Sequence, residues 1–247
     1  MEHPAWTLAY AALAVFAAGF IKGYSGFAFS MLLVLSLSMV FAPALIVPPT
    51  LILETLASLW LLPRALGRAH WPSLAWLVAG MALGAPLGVA VLAQAPAGPM
   101  RAAIAGVVLV IVVLLKRGFG LKAVPGPAAC AGMGVFSGVL NGGAAIGGMP
   151  VSVFYFSSPL DAAASRASMI VFLFAANLWT TGMAAWQGLV TAQTALAALF
   201  LLLPMLAGVV CGIKAFNAAS EARFRASIFN LMILLSLAGL CRALLWG

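Results

Sequence analysis

Val107-Val-Leu-Val-Ile-Val-Val-Leu-Leu115 decides the class of fold. A strand of a membrane barrel alternates apolar and polar residues, and a helix on a water-soluble domain carries a polar face. This run does neither. A helix built from it is apolar on every side, which suits the interior of a bilayer. The rest of the chain is of the same kind. Of 247 residues, 65% are hydrophobic and 6% are charged, where a soluble domain carries roughly 25% charge. A soluble enzyme, a secreted disulfide scaffold, a disordered tail and a coiled coil are excluded on composition alone. The expectation is an all-α polytopic membrane protein with almost nothing outside the lipid.

A bilayer-spanning helix needs about 20 apolar residues. By that measure about ten segments can be drawn, roughly at 5–21, 27–42, 44–63, 72–93, 100–116, 126–140, 144–157, 163–185, 189–213 and 223–245. The first, second, sixth and seventh are short. Each of those two pairs is either a full crossing pair or a re-entrant hairpin, so the expected count is about 8–10 transmembrane segments. The first segment has no basic region before it and no clear cleavage site, and is read as a retained helix rather than a signal peptide.

The net charge is +8. The twelve basic residues stand singly or in small groups between apolar runs, a pattern of topology and not of nucleic-acid binding. Alternating the segments puts Arg101 and Arg242 on the side of the N-terminus. Lys22, Arg64, Arg68, Lys116, Arg117, Lys122, Arg166, Lys214, Arg223 and Arg225 fall on the other. The richer side is the cytoplasmic one, so both termini are expected in the periplasm of a bacterial inner-membrane protein. A hairpin for the first pair would remove Lys22 from this sorting and leave its sense unchanged. Trp6, Trp60, Trp71, Trp179, Trp186 and Trp246 lie near segment ends, as interfacial anchors do.

The chain weakly repeats itself. Gly19 and Gly23 match Gly134 and Gly138, Trp60 matches Trp179, Gly88 matches Gly208, and Arg101 with Ile104 matches Arg225 with Ile228. Halves at 1–122 and 123–247 with an odd number of segments each would enter the membrane from opposite sides. That is the inverted-repeat plan of secondary transporters. The charges agree: Arg64, Arg68 and His70 occupy a loop whose counterpart, around Trp186-Gln-Gly188, has none.

Two matching stretches are rich in glycine and polar groups: Gly19-Phe-Ile-Lys-Gly-Tyr-Ser-Gly-Phe27 and Gly138-Val-Leu-Asn-Gly-Gly-Ala-Ala-Ile-Gly-Gly-Met-Pro150. Broken helices there would present N-terminal amides to an anion. Lys22, Gly23, Ser25 and Gly26 in the first, and Gly138, Asn141, Gly142 and Gly143 in the second, are the candidate substrate contacts. The competing reading is close helix packing through small residues. Lys22 either binds the anion or snorkels to the interface. Glu54 is the acid inside an apolar run, and an acid at that depth is a functional candidate. It either carries a coupling proton, pairs with a nearby arginine, or sits close enough to an interface to be wet. Asp161 is placed to cap a helix. Arg166 either faces a cytoplasmic vestibule or anchors the helix. Asn177 and Gln193 are expected to bond neighbouring helices.

The stretches G-F-I-K-G-Y-S-G-F-A-F-S-M (19–31) and G-V-F-S-G-V-L-N-G-G-A-A-I-G-G-M-P (134–150), with the two-half layout, resemble the TauE/SafE family, also called the sulfite exporter or toluene-sulfonate uptake permease family. The resemblance covers nearly the whole chain. It implies a bacterial inner-membrane transporter that moves sulfite, sulfoacetate or another organosulfonate, mostly outward. It carries the family's glycine positions onto Gly19, Gly23, Gly26, Gly138, Gly142 and Gly143. The first copy departs from the pattern, with Phe27-Ala28-Phe29 in place of further glycines.

Other functions fit less well. An anion channel would need a continuous pore. A structural membrane subunit would not need polar breaks. Gly23-Tyr-Ser-Gly26 matches the G-x-S-G of rhomboid-like proteases, but a serine nucleophile needs a base in reach, and His3 and His70 lie in loops on opposite sides. Four acids, two histidines and the scattered Cys130, Cys211 and Cys241 make no metal cluster, so no metal or other cofactor is expected. The expected partners are a small anion and the lipid bilayer, with a homodimer as a further option and nucleic acid excluded. The reading is a transporter and not an enzyme.

Overall fold

A computed structural model describes residues 5–25, 29–116 and 124–216, together with residues 230, 233, 234, 236–238 and 241. The described residues form nine helices and no strands. They are α1 (Ala5–Ser25), α2 (Phe29–Ser38), α3 (Pro43–Ala65), α4 (Trp71–Gln94), α5 (Ala97–Lys116), α6 (Pro127–Ala144), α7 (Gly148–Ser157), α8 (Ala162–Trp186) and α9 (Ala192–Phe216). Of the expected tenth segment, 223–245, only residues 230, 233, 234, 236–238 and 241 are described, all helical, while His3, Arg117, Lys122, Arg223, Arg225, Arg242 and Trp246 lie outside the described residues.

Five helices, α1, α4, α5, α8 and α9, are long and apolar enough to cross a membrane. The outward surface is apolar as well: Leu83, Phe200 and Leu203 are about three-quarters exposed. Such a surface is unstable in water and stable in lipid.

Central to the bundle, α3 packs against α8. Outward from that pair, α9 and then α1 follow on the α3 side, and α4 and then α6 on the α8 side. The short helices fill the gaps, α2 against α1 and α3, and α7 against α6 and α8. At 10 residues each, α2 and α7 extend about 15 Å, half the hydrocarbon thickness of about 30 Å. Neither crosses alone. Tyr10 near the start of α1 donates its hydroxyl to Ser36 O near the end of α2 (2.9 Å), so both ends of this pair lie at the same end of the bundle. The pair thus returns the chain to the side it started from, as both expected arrangements require, with α2 too short to complete a crossing. Arg101 at the start of α5 bonds Phe41 O at that end (3.2 Å). The second hairpin closes at the other end. There Tyr155 of α7 meets Ser73 at the start of α4 (3.1 Å), and the His70 amide donates to Ser168 of α8 (2.8 Å).

The closest crossing is α4 on α6. Gly80, Gly84 and Gly88 face the backbone of Ala131, Val135 and Val139, while Gly134, Gly138 and Gly142 face that of Leu77, Met81 and Ala85. Glycines four residues apart on both helices let the backbones touch. Gly19 and Gly23 of α1 and Gly208 of α9 make the same kind of contact.

Trp179 departs from its expected place. It lies well inside α8, and its Nε1 donates to Ala82 O of α4 (3.1 Å). Pro86 has no amide hydrogen for that carbonyl, and lipid offers no substitute. Trp179→Phe should therefore lower stability by about 1–2 kcal/mol, measured as a lower melting temperature of the detergent-solubilised protein. Pro86→Ala restores a donor, so the same tryptophan change should cost less in that background. Equal costs in both would mean that this bond contributes nothing.

Candidate anion site between the broken helices

Glu54 lies in the middle of α3, one helical half-length from either end. Its side chain is 4% exposed and that of Lys22 is 6% exposed. The two form an ion pair, Lys22 Nζ to Glu54 Oε1. Lys22 occupies the last turn of α1, where an ammonium also meets the negative end of the helix dipole. Ser30, in the first turn of α2, donates to Glu54 Oε2 at 3.0 Å. The ring of Phe29 lies beneath the ammonium, 5.6 Å from Nζ to its centroid, close enough for a cation–π attraction. Lys22 thus does not snorkel, and the partner of Glu54 is a lysine and not an arginine.

This cluster borders a cavity of about 30 Å³. Phe29, Ser30 and Met31 from the N-terminal turn of α2 line one side, and Glu54 adds the carboxylate. Ala145, Ile146, Gly148, Met149 and Ser152 close it from the break before α7 and from α7 itself, with Met169 and Leu173 from α8. A water needs about 10–15 Å³ by this kind of measure, so the space admits a group of a few heavy atoms. The first turns of two short helices meet here. Their leading amides carry partial positive charge, and that of Met149 already bonds Ile146 O at 3.1 Å.

The α6–α7 break is built in detail. Ala145 has φ 55°, in the left-handed region, and its amide bonds Asn141 O at 2.8 Å. A non-glycine residue in that conformation costs roughly 1–2 kcal/mol, so the surroundings must hold it. They do so through Ser137 Oγ, which donates to Gly147 O, and through Asn141. Asn141 Nδ2 donates to Asn177 Oδ1 (3.1 Å) and to Thr180 Oγ1 (3.0 Å) of α8.

The candidates from sequence therefore divide. Lys22 and Glu54 come together, and Glu54 lines the cavity. Gly23, Gly138 and Gly142 face neighbouring helix backbones, and Gly143 faces the Met100 side chain. Asn141 fixes the break. Ser25 ends α1, and Gly26 lies outside the described residues. Arg166 is exposed in the first turns of α8, behind Asp161, which caps that helix by accepting from the Ala164 amide (2.8 Å). Asn177 bonds α6 as expected, and Gln193 is exposed at the start of α9. His70 accepts from the Ser73 amide and caps α4. Among the described residues no group of His, Cys, Asp and Glu is placed to hold a metal ion. Ser30, Phe29, Ser152 and Met169 were not legible as site residues. A serine, a phenylalanine or a methionine in an apolar run carries no signal of its own.

The family described as Sulfite exporter TauE/SafE matches residues 11–239. No curated protein and no solved structure matches the chain.

Proposed function

The chain belongs to the TauE/SafE sulfite exporter family, a family of membrane transporters, and from that premise we propose that it exports a small sulfur oxyanion across the bacterial inner membrane by alternating access between two halves. The observation that carries the site is one small cavity lined by the first turns of two short helices and by Glu54, whose carboxylate holds the buried Lys22. An anion there would meet the Ser30 hydroxyl and the N-terminal turns of α2 and α7, and would reach the Lys22 ammonium by displacing it from Glu54. Ser25 and Gly26 stay proposed contacts on their place in the sequence alone, in the glycine-rich stretch 19–27. Gly23, Gly138 and Gly142 support it by letting the broken helices sit close. The cavity volume favours sulfite over a longer organosulfonate.

Two observations support halves at 1–122 and 123–247 of opposite direction. The order of packing outward from α3 and α8 is the same on both sides when α1 stands for α6 and α4 for α9. The two hairpins also close at opposite ends of the bundle. Arg64, Arg68, Arg166 and Lys214, all exposed, lie at the end where α3 stops and α8 starts. That end is the proposed cytoplasmic face, with Arg166 as an anchor, and the start of α1 faces the periplasm.

Proteoliposomes test the substrate. Radiolabelled sulfite should move with saturation and should be accelerated by unlabelled sulfite on the far side. No saturable flux of sulfite, sulfate, sulfoacetate or taurine would overturn the substrate class. Currents that do not saturate would replace the carrier by an anion channel.

A further inference from the structure

We propose that the site takes its anion together with a proton: Glu54 accepts the proton, and the Lys22 ammonium passes from the carboxylate to the anion. This rests on the transporter reading above and names its coupling. The carboxylate of Glu54 is part of the cavity wall, and Lys22 stands directly behind it. An anion that enters while Glu54 is charged meets a like charge in front and an ammonium already neutralised. Once Glu54 is protonated, the repulsion is gone and the ammonium is buried without a counter-ion. An unpaired charge at such depth is strongly disfavoured, and the incoming anion relieves it. A proton without an anion, or an anion without a proton, leaves one buried charge uncompensated. The two ligands therefore favour each other, and by linkage each raises the affinity for the other by the same factor.

The surroundings leave this exchange to one pair. Glu54 bonds Lys22 of α1 and Ser30 of α2, and shares the cavity wall with Phe29 of α2, Met149 and Ser152 of α7, and Met169 and Leu173 of α8. Among the described residues no titratable group of α4, α5, α6 or α9 reaches it. His70 caps α4, Arg101 bonds Phe41 O, Cys130 contacts Pro125 O, and Cys211 and Lys214 are exposed. Leu173 stands to α8 as Glu54 stands to α3, at the spacing that relates Trp179 to Trp60. The second half supplies no second acid there, so one proton accompanies each anion. A dianion then crosses with one net negative charge and a monoanion with none.

The experiment is calorimetric titration of sulfite into the detergent-solubilised full chain, repeated in buffers of different ionisation enthalpy. The wild type should take up one proton per sulfite beyond what sulfite's own titration supplies. Relative to Glu54→Gln, its affinity should fall about tenfold per unit rise in pH in the alkaline range. The glutamine variant should bind with no excess uptake. Glu54→Leu, which copies the residue at the matching place in α8, serves if the glutamine form does not fold. The excess uptake of the wild type decides the matter without either variant. Saturable sulfite binding with no excess uptake overturns the linkage and leaves the transporter reading in place. Absence of saturable sulfite binding overturns both.

Discussion

Lys22→Met is expected to destabilise the protein by about 3–5 kcal/mol and to abolish sulfite flux. The stability loss does not measure the strength of the pair. Taking two charges out of water costs nearly as much as their attraction returns. What the variant loses is compensation: Glu54 keeps its hydrogen bond from Ser30 but is left as a carboxylate at 4% exposure with no cation.

The double variant Lys22→Met/Glu54→Gln separates folding from function. Replacing both members of a buried pair by neutral groups of similar volume is often neutral in stability, so its melting temperature should return close to that of the wild type. Sulfite flux should stay absent, because among the described residues no base lines the cavity to take the place of Lys22 behind it. A double variant as unstable as the single one would show that the lysine is needed for packing. A stable double variant that still transports sulfite would remove Lys22 from the site.

Much of this was legible in the sequence, and the reason differs by feature. Spans of unbroken apolar residues locate α3, α4, α5, α8 and α9 to within a few residues, because lipid demands little beyond length and apolarity. Lys22 and Glu54 each stand out as charges in apolar surroundings. Their pairing does not, since it depends on α1 ending beside the middle of α3 and nothing local encodes it. The glycines show the limit most clearly. Gly138 and Gly148 belong to one glycine-rich stretch, yet the first touches the α4 backbone and the second lines the cavity. A residue without a side chain serves close packing and ligand access equally well. Trp179 shows it again: only the contact of α4 with α8 reveals that its indole satisfies the carbonyl left open by Pro86.

Gly138→Val should cost about 3 kcal/mol or more, and in practice prevent recovery of a monodisperse protein. A methyl carbon at this position would stand 2.8 Å from the Ala85 amide nitrogen and against the Met81 carbonyl. Those are backbone atoms, so no rotamer change can make room, and α4 and α6 must separate. The separation would be felt elsewhere, because α6 leads into the break that forms one wall of the cavity. Helix propensity is not the cause of the expected loss, and Gly132 in the same helix provides the control. Nothing lies within 4 Å of a methyl carbon built there, so Gly132→Ala should be neutral or stabilise by up to about 1 kcal/mol through helix propensity. Size-exclusion yield and melting temperature in detergent read both changes. If Gly138→Val were as well folded as Gly132→Ala, the α4–α6 contact would not be the close backbone crossing that holds the second broken helix in place.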